Sequence, residues 1–183
     1  MVLPKSPPGL VLTPGASADR DHPTLVAIEA AVTQEMELPV LRLTLGTTSV
    51  PRAVAKIVEA TTEFAAELRV DTADLVIGGR SFGGRSCSVA AAEGLAVAGL
   101  LLLSYPLHPP GKPEKLRVEH FGDIDVPTLF ISGEKDPFGT PEEFDSHIGA
   151  IAGPTEIRWV PGGHSPKGTQ EAAVIDSVAG ALA

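Results

Sequence analysis

Short apolar runs alternate with longer stretches of helical periodicity along the whole of this sequence, and that alternation restricts the fold more than any single motif. Runs at residues 10–13, 39–45, 75–78, 100–104, 128–132 and 157–160 read as strands. Residues 24–35, 52–68, 82–92, 141–151 and 169–182 read as helices. In the second helix Val54, Ile57, Val58, Thr61 and Ala65 lie along one side. Strands joined through helices pair in parallel, because the crossover has to cover a face of the sheet. Both faces are then buried, which accounts for strands that are apolar throughout, such as Leu100-Leu101-Leu102-Leu103. The expected fold class is therefore α/β, a mostly parallel six-stranded sheet with helices on both faces, forming a single domain over residues 1–183. Aromatic residues make up only 4% of the chain, so the core is expected to be built mainly from Val, Leu, Ile and Ala.

The third apolar run ends in Gly-Gly-Arg-Ser-Phe-Gly-Gly-Arg-Ser, residues 78–86. A phosphate-binding P-loop needs a lysine, and the stretch has none. A dinucleotide fingerprint needs a different glycine spacing and sits on the first strand, not the third. What fits is Gly79-Arg80-Ser81-Phe82-Gly83, the pattern Gly-x-Ser-x-Gly between a strand and a helix. Such a turn lifts the serine hydroxyl clear of the sheet edge, and side chains two residues to either side would collide. The helix that follows places positive potential where an oxyanion would develop.

A nucleophilic serine needs a base and a group that orients the base. In chains of this organisation both follow the serine, at the carboxyl ends of later strands. After residues 128–132 comes Gly133-Glu134-Lys135-Asp136-Pro137, and after residues 157–160 comes Pro161-Gly162-Gly163-His164-Ser165. Asp136 is the expected orienting acid, with Glu134 as its neighbour and rival, and His164 the expected base. Two backbone N–H groups would form the oxyanion hole. Phe82 supplies one, and the turn after the first strand supplies the other, from Ala16 or its neighbour Ser17.

The stretches LTPGASAD, GGRSFGGR, LLSYPLHPPGKPEKLR, PTLFISGEKDPFG and GGHS together resemble the small α/β-hydrolases of the dienelactone-hydrolase-like group. They are most similar to the lidless branch that includes testis-expressed and NSL-complex-subunit homologues. The resemblance spans nearly the whole chain. It implies an α/β-hydrolase fold without a cap domain and Ser81, Asp136 and His164 as a catalytic triad. Pro14 stands where relatives often carry His before the Gly, and the two leading antiparallel strands of larger hydrolases are absent.

The remaining features bound the function. A net charge of −9 argues against a nucleic-acid partner, which would need a basic face. Cys87 is the one cysteine, so no intrachain disulfide can form, and it reads as inert core. The start lacks a signal-peptide pattern, and the run at residues 95–103 is far shorter than the ~20 residues of a membrane span. A soluble, cytoplasmic protein is expected, with no membrane partner. Asp19, Asp21 and His22 resemble a metal cluster on paper, but before Pro23 they read as a cap and first-turn charges, and the expected chemistry requires no metal or cofactor. Arg80 and Arg85 read as ion-paired or solvated. Tyr105, Leu107 and His108, just beyond the fourth strand, are expected to wall a pocket that suits a short acyl chain. The expected activity is hydrolysis of a small ester or thioester. The alternatives are a cofactor-free haloperoxidase or perhydrolase with the same triad, and a non-catalytic binding module that keeps the fold.

Overall fold

The computed structural model describes residues 2–183. Its elements follow in the order β1 (Leu10–Thr13), α1 (Pro23–Met36), β2 (Val40–Arg42), α2 (Val50–Leu68), β3 (Val76–Arg80), α3 (Phe82–Ala92), β4 (Gly99–Leu103), β5 (Thr128–Gly133), α4 (Pro141–His147), β6 (Thr155–Val160) and α5 (Thr169–Leu182). The six strands lie in the order β2-β1-β3-β4-β5-β6, and every neighbouring pair is parallel. The α/β architecture expected from the alternation is the one observed. No cap domain is inserted: the connection after β4 holds only a 3₁₀ turn at Phe121–Asp123.

Two elements are shorter than their apolar patterns. The run at residues 39–45 forms a strand only over Val40–Arg42. β2 is an edge strand whose sole neighbour, β1, ends at Thr13, and Pro14 has no N–H with which to continue the ladder. The Leu43 N–H still bonds the Leu12 carbonyl at 2.9 Å before the strand leaves the sheet. The run at residues 141–151 is helical over Pro141–His147 and tightens into a 3₁₀ turn at Ile148–Ala150. Gly149 lies in that turn, and glycine is a poor helix former. The start of α4 is well specified, by Pro141 and by a capping box in which Thr140 and Glu143 bond each other's backbone N–H.

Each face of the sheet carries its own core. On one face Leu10, Leu12, Val76, Leu101, Leu103, Leu129 and Ile131 pack against Leu25, Ile28 and Val32 of α1 and Val174, Val178 and Leu182 of α5. On the other, Val11, Ile77, Leu100, Leu102 and Phe130 pack against α2, α3 and α4 through Ile57, Phe64, Cys87 and Phe144. Tyr105, Leu107 and Phe121, from the connection after β4, belong to this second core. The expectation of a mainly aliphatic interior therefore holds on both faces, and the few aromatic residues gather on the α2/α3/α4 face.

Candidate active site

The site forms along the carboxyl ends of β1, β3, β5 and β6, and its geometry begins with two glycines. A Cβ on Gly79 or on Gly83 would fall on Thr13, at its Oγ1 and its backbone, and one on Gly83 would also fall on the Pro14 carbonyl. Only glycine lets the β3–α3 turn press this closely against the end of β1. Between them Ser81 takes φ 52° and ψ −116°, a conformation that costs a non-glycine residue about 1–3 kcal/mol. The turn is held from both sides: the Ser81 N–H bonds the Leu103 carbonyl at 2.8 Å, and the Arg85 N–H bonds the Ser81 carbonyl at 3.0 Å.

Ser81, His164 and Asp136 form a continuous chain of hydrogen bonds. His164 Nδ1 is 2.8 Å from Asp136 Oδ2 and 3.1 Å from Oδ1, and His164 Nε2 is 2.9 Å from Ser81 Oγ. A carboxylate only accepts, so Nδ1 carries the proton and Nε2 is left free to accept from the serine hydroxyl. Asp136 is almost fully buried, with its side chain 1% exposed. Its Oδ1 also accepts the Phe138 N–H at 2.9 Å, which fixes the carboxylate plane. Glu134, two residues earlier in the same loop, points to solvent. The carboxylate facing the imidazole is thus that of Asp136.

Two further contacts hold the imidazole loop. The Phe138 ring stacks on the His164 ring with centroids 3.9 Å apart and planes 25° from parallel. Arg80 donates to the His164 carbonyl at 2.7 Å and to Ser165 Oγ, so the residue before the serine also anchors the residue that carries the base. Burial holds the Arg80 guanidinium below its ordinary value, against the opposing pull of Asp136 and Glu171.

A cleft of about 410 Å³ opens over Ser81 and His164. Ala16 and Phe82 line it, beside Gly15, Thr48, Pro106 and Phe138, together with Arg80, Arg85 and Arg117. The expected pocket wall is corrected on all three residues. Tyr105 and Leu107 are fully buried in the core beneath the cleft, and Tyr105 meets Phe121 and Phe130 edge-on or tilted. His108 turns away, its Nε2 3.2 Å from a Glu143 carboxylate oxygen. The reason is a fold-back: the Arg117 N–H bonds the Leu107 carbonyl at 2.8 Å, and the Tyr105 hydroxyl donates to the Arg117 carbonyl at 2.7 Å. Tyr105 and Leu107 therefore face inward, and Pro106 and Arg117 face the cleft.

Other sequence candidates resolve plainly. Asp21 pairs with Arg42 at 3.1 Å, and Asp19 Oδ1 accepts the Asp21 N–H at 2.9 Å. His22 occupies the cap position of α1 but caps nothing with its side chain. No group of three or more potential metal ligands is gathered among the described residues. Cys87 is buried between Thr13 Oγ1 and the Gly78 carbonyl, and burial pushes its thiol up to about 12, so it stays protonated and unreactive. No helix of the described chain is long and apolar enough to cross a membrane. Phe138 and Arg117 were not singled out by the sequence. The Asp-Pro-Phe-Gly stretch offered a signal for Phe138, two residues beyond the acid, and Arg117 closes the stretch LLSYPLHPPGKPEKLR without any feature that gave it a role.

Several solved structures share this fold. A dienelactone hydrolase from Anabaena variabilis superposes with a TM-score of 0.78 at 18% identity, covering 97% of this chain and 87% of its own. A carboxylesterase from Bacillus cereus gives 0.66 at 16% identity, covering 98% and 93%. An acetyl xylan esterase from a Paenibacillus species gives 0.68 at 16% identity, covering 97% and 75%. A family model described as an alpha/beta hydrolase domain matches residues 7–177, and the chain belongs to that family.

Proposed function

We propose that this α/β-hydrolase is a serine hydrolase that cleaves a small ester or thioester through Ser81, His164 and Asp136. The observation that carries the reading is the unbroken relay from a buried carboxylate through one imidazole to a hydroxyl held on a strained turn. Ser81 Oγ attacks the substrate carbonyl carbon while His164 Nε2 takes its proton. The Nδ1–H bond to Asp136 holds the ring in the tautomer that can do so and stabilises the imidazolium. The negative charge that develops on the carbonyl oxygen is met by the backbone N–H groups of Phe82 and Ala16, both at the cleft. Collapse of this intermediate breaks the bond to the alcohol or thiol, which leaves with the proton from His164. Water, deprotonated by the same nitrogen, then attacks the acyl-enzyme and releases the acid with Ser81 restored. No step asks for a metal or cofactor. On the stretch SYPLHPPGKPEKLR we also assign the chain to the lidless branch with testis-expressed and NSL-complex-subunit homologues.

A fluorophosphonate probe tests the reading. Peptide mapping should find the adduct on Ser81, with none in Ser81→Ala; an adduct on Ser17 or Ser165 would overturn the assignment. Asp136→Asn should lower kcat on p-nitrophenyl acetate by about 10⁴, and Glu134→Gln should leave it within about twofold, because Glu134 faces solvent.

A further inference from the structure

The cleft over Ser81 has a charge that the rest of the molecule does not share. The chain carries 23 acidic and 14 basic residues, yet three arginines and no acidic side chain line this cleft. Arg80 is occupied, donating to the His164 carbonyl and to Ser165. Arg85 and Arg117 are not accounted for in the same way. Arg85 reaches Glu119 with one terminal nitrogen at 3.3 Å, and Glu119 is 64% exposed. Its Nε is buried and bonds nothing. The Arg117 guanidinium makes no hydrogen bond or ion pair among the described residues. Burial, and after it the nearby charge of Arg85, hold Arg117 below its ordinary value, against the weaker opposing pull of Tyr105 and Glu119.

The two guanidinium charges are close enough to oppose each other, and one of them keeps a buried N–H unbonded. The backbones that carry them are nonetheless fixed. Arg85 lies one turn along α3 from Ser81, its N–H on the Ser81 carbonyl. Arg117 is clamped by its own N–H to Leu107 and by the Tyr105 hydroxyl on its carbonyl. Paired guanidinium forks match the geometry of a carboxylate or a phosphate better than any neutral group.

We infer that the substrate of this site carries an anionic group, a carboxylate or a phosphate, a few bonds from the scissile carbonyl, and that Arg85 and Arg117 bind it. The inference rests on the hydrolase reading for the position of the carbonyl, since one helical turn of about 5.4 Å separates Ser81 from Arg85 along α3. It narrows the substrate class from small esters to small anionic ones. It also makes Arg85 and Arg117 the specificity-determining residues of the cleft.

The test compares esters of one leaving group. Mono-p-nitrophenyl glutarate and p-nitrophenyl 3-phosphonopropionate carry the anion, and p-nitrophenyl butyrate is neutral. Wild-type kcat/KM should favour one of the anionic esters by about tenfold or more, mainly through KM. The better of the two identifies carboxylate or phosphate as the group recognised. In Arg117→Met and in Arg85→Met the ratio of anionic to neutral turnover should fall towards unity, and Arg117→Lys should recover part of it. Free glutarate or inorganic phosphate should inhibit butyrate hydrolysis competitively in wild type and less so in either Met variant. Butyrate turnover with no preference for either anionic ester would overturn the inference and leave the hydrolase reading standing. Turnover of none of the three esters would overturn the hydrolase reading and the inference with it.

Discussion

The two faces of the sheet are built from different materials. The buried side chains of the α1/α5 face are all aliphatic, Leu, Ile, Val and Ala. The α2/α3/α4 face holds Phe64, Tyr105, Phe121, Phe130 and Phe144 at its centre, with Phe82 and Trp159 against it. Phe138, stacked on His164, is the one aromatic residue outside that group. The rings touch in series: Tyr105 with Phe121 and Phe130, Phe130 with Phe144, and Phe144 with Trp159, at centroid separations of 5.4–5.6 Å. The difference has a functional logic. The aliphatic face has only to bind two helices to a sheet. The aromatic face also has to hold the connection after β4, which has little regular structure of its own, so that Arg117 stands at the cleft. Large rigid rings provide much contact area for little lost rotamer freedom. They give that segment a floor that a cap domain is not present to supply.

The comparison breaks most readily at Phe130, where three ring contacts meet. Phe130→Ala should cost about 3–5 kcal/mol in urea denaturation. Phe130→Leu, milder in stability, should still raise KM for the preferred ester because the floor beneath the 105–126 segment loosens. Ile28→Ala, on the aliphatic face, should cost about 2–4 kcal/mol by the same measurement while leaving kcat/KM of the folded enzyme as it was. An equal loss of kcat/KM in Ile28→Ala would show that the faces do not divide their duties. A smaller effect is expected from Tyr105→Phe, which keeps the ring and removes the hydroxyl that bonds the Arg117 carbonyl. It should cost about 1 kcal/mol and weaken discrimination among esters more than it weakens turnover.

The smallest effect sets one histidine against another. Burial holds both His22, beside the aliphatic face, and His120, on the aromatic one, below the ordinary imidazole value, and each has a buried Nδ1 without a partner. The unfolded chain takes up these protons near pH 6.5, whereas the folded chain resists them. Their contribution is therefore fully present above pH 6.5 and is lost as the pH falls below it. Wild-type Tm should decline between pH 7.5 and 5.5. His120→Gln should flatten that decline more than His22→Gln, because His120 is 9% exposed and bonded to Ser88 at 2.8 Å. A steeper decline in His120→Gln than in wild type would contradict the assignment.

Much of this is legible in the sequence alone. The elbow is local: Gly79, Ser81 and Gly83 lie within five residues, so their constraint is written in one short stretch. Asp136 and His164 lie far apart in sequence, yet each follows an apolar run, and parallel strands bring such positions to one edge. What stayed hidden depended on direction and not on position. Tyr105, Leu107 and His108 do lie at the correct edge of the sheet, but the Leu107–Arg117 bond folds the segment back and turns them inward or aside. Arg117 enters the cleft by the same bond, a long way in sequence from anything it serves. The length of β2 was likewise set by its neighbour, through Pro14, and not by its own apolar residues.

The close fit of Gly79 and Gly83 against Thr13 has a consequence for the order in which the chain folds. β1 leaves first in sequence but lies between β2 and β3, and the elbow is shaped only when β1 is in place. His164 and Asp136 follow β6 and β5, at the opposite side of the sheet. No short contiguous fragment contains a finished site, and the pairings it needs are long-range and therefore late to form. During refolding, catalytic activity should return after the helical signal has recovered, so that turnover marks the closing of the last strand ladder.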